Sequence, residues 1–294
     1  MTYEKKCVGV IGATGAVGRY VLPLLVEEGW DVVAFSRKKR DEESIPGVRW
    51  RVLCSPEAPF DEKIEHWVSL APITALSNYF PLLLSFGARR IVAVSSTSRF
   101  TKIASPDVQE RRTAKSLAES EETLIAWAGK ASVVYTILRP TMIYDFERDK
   151  NITLIARFIK RFGFFCILGE ASGLRQPVHA RDVASACAAA LHSPAAENRS
   201  YNLSGAEVLP YREMVHRVFF ALGKKPRLVK IPWCLFHAVV LVLRVHPRFR
   251  HWSSAMAQRM NQDMVFDHEE ARRDLHFAPC YFDLPKSGRT VPGA

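Results

Sequence analysis

Little of this sequence is glycine or proline: 15 and 17 of 294 residues, too few for a fibrous or low-complexity chain. Internal repeats are absent as well. The six cysteines, Cys7, Cys54, Cys166, Cys187, Cys234 and Cys280, form no Cys-x-x-Cys pair, and none stands beside a histidine at metal-ligand spacing. That excludes a disulfide framework and a structural zinc site, predicts no metal, and points to a reducing compartment. Acidic side chains are in deficit, 30 against 41 Lys and Arg, for a net charge of +11. Such a surplus favours an anionic partner: a phosphorylated small molecule, an anionic membrane surface or nucleic acid. The N-terminal Met1-Thr2-Tyr3-Glu4-Lys5-Lys6 runs directly into a strand, which leaves no room for a cleaved leader. What remains is a composition of 48% apolar and 24% charged residues, that of a soluble globular protein.

Hydrophobic patterning divides the chain unevenly. Short apolar runs at Cys7–Ile11, Trp30–Phe35, Val48–Leu53, Trp67–Leu70, Arg90–Val94 and Val133–Leu138 alternate with helical spacing at Val17–Glu28, Ser77–Phe86 and Val108–Ala128. Buried strands separated by helices predict an α/β fold with a doubly wound parallel sheet. After about residue 145 the alternation loosens. Helices are expected at Asn151–Phe162, Asp182–His192, Tyr211–Leu222 and Glu269–Leu275, with a short strand at Tyr201–Leu203. The expected division is a nucleotide-binding unit over residues 1–145. Residues 146–294 would complete the sheet and form a smaller C-terminal substrate lobe.

The most informative stretch is Val8-Gly9-Val10-Ile11-Gly12-Ala13-Thr14-Gly15-Ala16-Val17-Gly18. Gly12, Gly15 and Gly18 follow a strand and open a helix. The first permits a tight turn, the second lets backbone approach a pyrophosphate, and the third lets helix and strand pack closely. The helix start then offers free N–H groups and a positive dipole end to phosphate. This Gly-x-x-Gly-x-x-Gly spacing resembles that of the extended and atypical short-chain dehydrogenases/reductases. Further segments carry the resemblance to their NAD(P)-dependent epimerase/dehydratase-like branch: Leu138-Arg139-Pro140 followed by Tyr144, Gln176-Pro177-Val178-His179-Ala180-Arg181-Asp182-Val183-Ala184, Tyr201-Asn202-Leu203-Ser204-Gly205 and Leu275-His276-Phe277-Ala278-Pro279. The resemblance implies a Rossmann-like fold and a nicotinamide dinucleotide.

The end of the second strand selects between cofactors. An acidic residue there would bind a ribose 2′-hydroxyl. This chain has Ser36-Arg37-Lys38-Lys39-Arg40 instead. Arg37 is the expected ligand of a 2′-phosphate, so NADP(H) is preferred and NAD(H) is the alternative. A solvated basic loop is the plainer reading of the same run. The candidate cofactor set is Gly12, Thr14, Gly15, Ala16, Val17, Gly18, Ser36, Arg37, Lys38, Ala71, Pro72, Lys115 and Pro140.

The resemblance also implies a Ser/Thr after the fifth strand and a Tyr-x-x-x-Lys on the next helix. Val94-Ser95-Ser96-Thr97-Ser98 supplies hydroxyls, with Thr97 the expected one, and Lys115 followed by Glu119 matches the family's Lys-x-x-x-Glu. The tyrosine position falls on Arg111. A guanidinium does not exchange protons near neutral pH, although it can stabilise an oxyanion. Tyr144 is then the first candidate to move a proton, and a wall residue packing on the ligand is its plainer reading. The candidate catalytic set is Thr97, Lys115 and Tyr144. His179 reads as structural beside an N-capping Asp182. Arg175 and Lys150-Asn151 read either as diphosphate contacts or as solvated surface.

Two functions from different classes fit these features. The first is an NADP(H)-binding oxidoreductase or epimerase-like protein acting on a nucleotide-linked sugar or a similar anionic carbonyl compound. The second is a dinucleotide-binding sensor or assembly subunit without turnover. A nucleic-acid partner is not expected, because Phe158, Phe162, Phe164 and Phe165 beside the basic Ile152–Arg161 read as core. The apolar run at 231–245 falls short of the ~20 residues that span a bilayer. It reads as a buried helix or, with Trp233, Phe236, Arg244, Arg248 and Arg250, as peripheral membrane contact through 231–250. The expected location is cytoplasmic, or peripheral to the inner face of a membrane.

Overall fold

The computed structural model describes residues 6–39, 45–53, 63–146, 148–232 and 258–285. Strand β1 (Cys7–Ile11) leads into α1 (Gly18–Glu27), β2 (Asp31–Ser36) and β3 (Val48–Val52). β4 (His66–Ser69) passes through a 3-10 segment (Ile73–Tyr79) into α2 (Phe80–Ser85). β5 (Arg90–Val94) is followed by α3 (Ser98–Thr101), α4 (Val108–Ala131) and β6 (Val134–Pro140). Then come β7 (Ile143–Tyr144), α5 (Ile152–Phe162), β8 (Phe165–Leu168), β9 (Leu174–Arg175) and β10 (Val178–His179). The order closes with α6 (Ala180–His192), β11 (Arg199–Leu203), β12 (Leu209–Pro210), α7 (Tyr211–Ala221), β13 (Leu228–Ile231) and α8 (Glu269–Leu275).

The central sheet has the order β11-β6-β5-β4-β1-β2-β3, and every pairing in it is parallel. Its winding reverses between β1 and β4. A crevice therefore opens at their carboxyl ends, where ligands bind in such sheets. Strand alternation divides the core into two layers. Val8, Val10, Val32 and Ala34 pack with α1 and the alanine-rich α6. Ile11, Val33, Phe35 and Trp67 pack with α2 and α4. Gly9 belongs to the second face, where a Cβ would overlap the Trp67 indole. A third cluster joins Tyr144, α5, α7, Phe282 and Leu284 into the lobe.

The expected helix at Ser77–Phe86 begins instead as 3-10, and α2 starts at Phe80 with Pro81 in its first turn. Proline's missing N–H leaves no helical bond unmade in a first turn, so Pro81 suits the start of α2. The two-residue pairs β7–β10 and β9–β12 are too short to leave a periodic trace in the sequence. The run expected to contact a membrane lies, from Trp233 through Arg250, outside the described residues.

Candidate functional site

The glycine turn sits at the head of the crevice. Gly12 has φ +77°, and a Cβ on it would overlap the backbone of Ala71 after β4. A Cβ on Gly18 would overlap the Ala13 carbonyl, so α1 and β1 can approach this closely only through glycine. Gly15 differs. It is exposed, and the nearest atom to a Cβ there is the Gly12 carbonyl oxygen at 3.7 Å. The protein's own packing does not require glycine at this position, whereas a pyrophosphate lying against the backbone would. No side chain caps α1, and its first turn holds no acidic residue. These features fit a dinucleotide phosphate at the start of α1. Val17 and Gly18 are buried, Ala16 is half-buried and Thr14 is exposed.

Behind this turn lies a group that sequence reasoning missed. Asp145 is 4% exposed, its Oδ1 accepts from the Tyr20 hydroxyl at 3.2 Å, and its Oδ2 lies 3.5 Å from Arg19. Burial, reinforced by this carboxylate, pushes the Tyr20 phenol up. Arg19 immediately after the third glycine was the available signal.

At the end of β2, Ser36 is buried and its hydroxyl donates to the Lys38 carbonyl. Arg37 and Lys38 are exposed. Neither makes an ion pair among the described residues, and the end of β2 carries no carboxylate.

A cavity of about 280 Å3 opens at the carboxyl ends of β4 and β5, lined by Ala71, Pro72, Thr74, Ser95, Ser96 and Leu117 among others. Its α4 wall is formed by Leu117. Lys115 does not line the cavity: its side chain is 77% exposed and pairs with Glu119 at 3.6 Å on the outer surface. The inward stripe of α4 is Ala114, Leu117, Glu121, Leu124 and Ala128. Glu121 is fully buried. It accepts from Ser95 Oγ at 2.5 Å and from Arg139 Nη2 at 2.7 Å, and it also pairs with Arg99. Glu121, rather than Glu119, thus bonds the arginine of Leu138-Arg139-Pro140. Counting the Lys-x-x-x-Glu spacing back from Glu121 lands on Leu117. The same count puts the tyrosine position on Thr113, whose hydroxyl is turned to the Gln109 carbonyl at 2.9 Å. A glutamate inside an otherwise apolar helical stripe was the signal for this register.

The other candidates are dispersed. Thr97 is 5% exposed, and its hydroxyl donates to the Pro140 carbonyl at 3.2 Å, so Pro140 meets Thr97. Ser95 and Ser96 reach the cavity instead. Arg111 is exposed at the start of α4 and donates to the Ser105 carbonyl at 2.7 Å. Tyr144 is buried in the lobe core, with its ring edge-on to His179 and Phe282 and its hydroxyl 3.4 Å from the Tyr281 carbonyl. Burial raises its phenol pKa, which opposes proton transfer. His179, rather than Asp182, caps α6: its Nδ1 accepts from Arg181 N at 3.0 Å, while Asp182 accepts from Cys280 N at 2.9 Å. Arg175 is neither a diphosphate contact nor solvated. It is buried and donates to the carbonyls of Leu174, Gln262 and Arg259, tying down residues 259–264. Among the described residues no group of His, Cys, Asp and Glu is arranged to hold a metal ion.

Comparison with known proteins places this geometry. Residues 82–204 match the model of the NAD dependent epimerase/dehydratase family. A curated relative from Arabidopsis thaliana, the mitochondrial NADH dehydrogenase [ubiquinone] 1 alpha subcomplex subunit 9, is 25% identical over 264 residues. That match covers 78% of this chain, which spans about three fifths (61%) of the relative's length. Among solved structures, UDP-glucose 4-epimerase from Thermotoga maritima with UDP-glucose shares 13% identity at a TM-score of 0.66, covering 93% of both chains. UDP-glucuronic acid 4-epimerase from Bacillus cereus in complex with NAD shares 12% identity at a TM-score of 0.66, over 93% of this chain and 91% of its own. At these identities the likeness is one of fold.

Proposed function

We propose that this chain, whose residues 82–204 match the NAD dependent epimerase/dehydratase family model, is a dinucleotide-binding protein of that family whose cavity lacks the family's proton-transfer pair. The observation that carries the reading is Leu117. At the cavity-facing position four residues before the buried Glu121, the Lys-x-x-x-Glu spacing counted from that glutamate would put the family's lysine, and an aliphatic side chain stands there. Lys115 is on the outer surface and Tyr144 is inside the lobe core, so neither replaces it.

The cofactor is NADP(H). The backbone from Gly12 to Gly18 holds the pyrophosphate, Ala71 and Pro72 wall the crevice beside it, and Arg37 takes the 2′-phosphate. When bound, the nicotinamide supplies a hydride donor or acceptor. The chain's own residues contribute binding and exclusion of water, with Ser96 at the cavity wall and the Ser95 hydroxyl turned away to Glu121. The protein acts as a cofactor-dependent assembly subunit or redox sensor, a reading that the similarity to a respiratory-complex subunit supports. Among the described residues no helix is long and apolar enough to cross a membrane.

A second reading is turnover of a nucleotide-linked sugar. It rests on Ser96 in the cavity lining and on the UDP-sugar epimerases among the structural neighbours. Titration with NADPH and NADH, followed by incubation with UDP-glucose, separates the two. Binding without epimerisation is expected, with NADPH favoured about tenfold or more and Arg37→Ala erasing most of that margin. Sustained epimerisation by the unaltered chain would overturn the subunit reading, and equal affinities would overturn the choice of NADP(H).

A further inference from the structure

Two of the acid-free stretches of the sequence are also basic and meet in the fold. Residues 150–169 carry four Lys or Arg and no Asp or Glu, and residues 214–262 carry nine and none. The fold brings the first of these and residues 224–231 of the second together at one end of the lobe. β8 and β13 pair in parallel, from Phe165 opposite Leu228 to Leu168 opposite Ile231. Lys224 Nζ donates to the carbonyls of Ile159 and Lys160 at 3.2 and 3.1 Å, which locks the end of α7 to the end of α5. Phe165 N donates to the Arg227 carbonyl at 2.9 Å. Both helix C-termini therefore share one end of the lobe, with Arg161, Lys225 and Arg227 exposed there. Their attraction to the helix carbonyl ends accounts for some of these cations. It does not account for the apolar side chains beside them.

Phe162, expected in the core, is 51% exposed, and Phe220 near the end of α7 is 62% exposed. Leu154 and Val229, on α5 and β13, are 57% and 46% exposed. The Phe162 ring packs on Phe158 at 4.7 Å and lies under the Arg161 guanidinium at 5.5 Å. Glu170 pairs with Lys230 and Arg212. Beyond Pro232 the sequence keeps the same basic and apolar character through 233–257.

We infer that this end of the lobe docks on an anionic phospholipid surface, with Phe162 and Phe220 entering the headgroup boundary and Arg161, Lys225 and Arg227 on the phosphates. Aromatic rings and lysine or arginine side together at such interfaces, and basic residues strengthen attachment to anionic lipid. Lipid is favoured over a polynucleotide because the exposed aliphatic Val229 on β13 has no use in stacking on bases or reading phosphates.

The test is flotation of the full chain with vesicles of phosphatidylcholine alone or mixed with phosphatidylglycerol, at low and high salt. Binding to the anionic vesicles only, weakened by salt, is expected. The pair Phe162→Ala and Phe220→Ala, and separately the pair Arg161→Glu and Arg227→Glu, should each lower partitioning at least tenfold while NADPH affinity and thermal unfolding stay as in the parent. Failure of the parent to float with anionic vesicles at low salt would overturn the inference. So would unchanged partitioning of both double variants, which would put attachment elsewhere in the chain, and so would binding to RNA without binding to vesicles.

Discussion

The glycine turn and the inner face of α4 border the same crevice and differ in what they offer a ligand. At the turn, each glycine has a steric or ligand-related reason to be there: Gly12 against Ala71, Gly18 against Ala13, and Gly15 beside open space. On α4 the structural anchor is intact, since Glu121 ties the helix to Ser95, Arg99 and Arg139. The cavity-facing position four residues before it is Leu117, which cannot hold or move a proton. Holding a dinucleotide and moving a proton thus sit on separate elements, and a chain can keep one without the other. Backbone N–H groups need only the turn, whereas proton transfer needs particular side chains at one phase of a helix.

The largest expected effect tests whether α4 is anchored as described. Glu121→Ala leaves two partly buried guanidinium groups facing a void, and truncating one member of a buried ion pair costs about 3–5 kcal/mol. Urea unfolding should show that loss, and a change under about 1 kcal/mol would mean that Glu121 does not hold the helix.

A smaller effect probes the turn. Gly15→Val should leave unfolding nearly unchanged, because the position faces open space. NADPH affinity should fall at least tenfold, because overpacking against a ligand costs about 1–3 kcal/mol. Calorimetric titration reads this directly. Unaltered affinity would remove the phosphate from this turn.

The smallest effect sharpens the contrast most. Lys115→Ala removes an exposed pair with Glu119, so stability should move by no more than about 0.5 kcal/mol and NADPH affinity should not move at all. A tenfold loss of affinity would place Lys115 on the cofactor and erase the difference between turn and helix.

Much of this molecule was legible in its residues. The strand–turn–helix at 7–27, the alternation through β6, the alanine-rich α6 and the closing α8 all follow from apolar spacing and glycine placement. The basic end of β2 was visible as composition. The cavity wall was not. Both Lys115-x-x-x-Glu119 and Leu117-x-x-x-Glu121 satisfy the same helical spacing, and the sequence offers no marker between them.

By itself, then, the sequence determined which segments become strands and helices, where backbone must bend tightly, and the sign of the overall charge. Those properties depend on neighbours along the chain. The phase of α4 against the sheet was decided only when Glu121 found Arg139, 18 residues away, because helical periodicity sets angles within a helix and not between that helix and its surroundings. The exposure of Phe162 was settled in the same way. Residues 158–165 look like core when taken alone, but the end of α7 and β13 cover part of that cluster and leave this one ring in solvent.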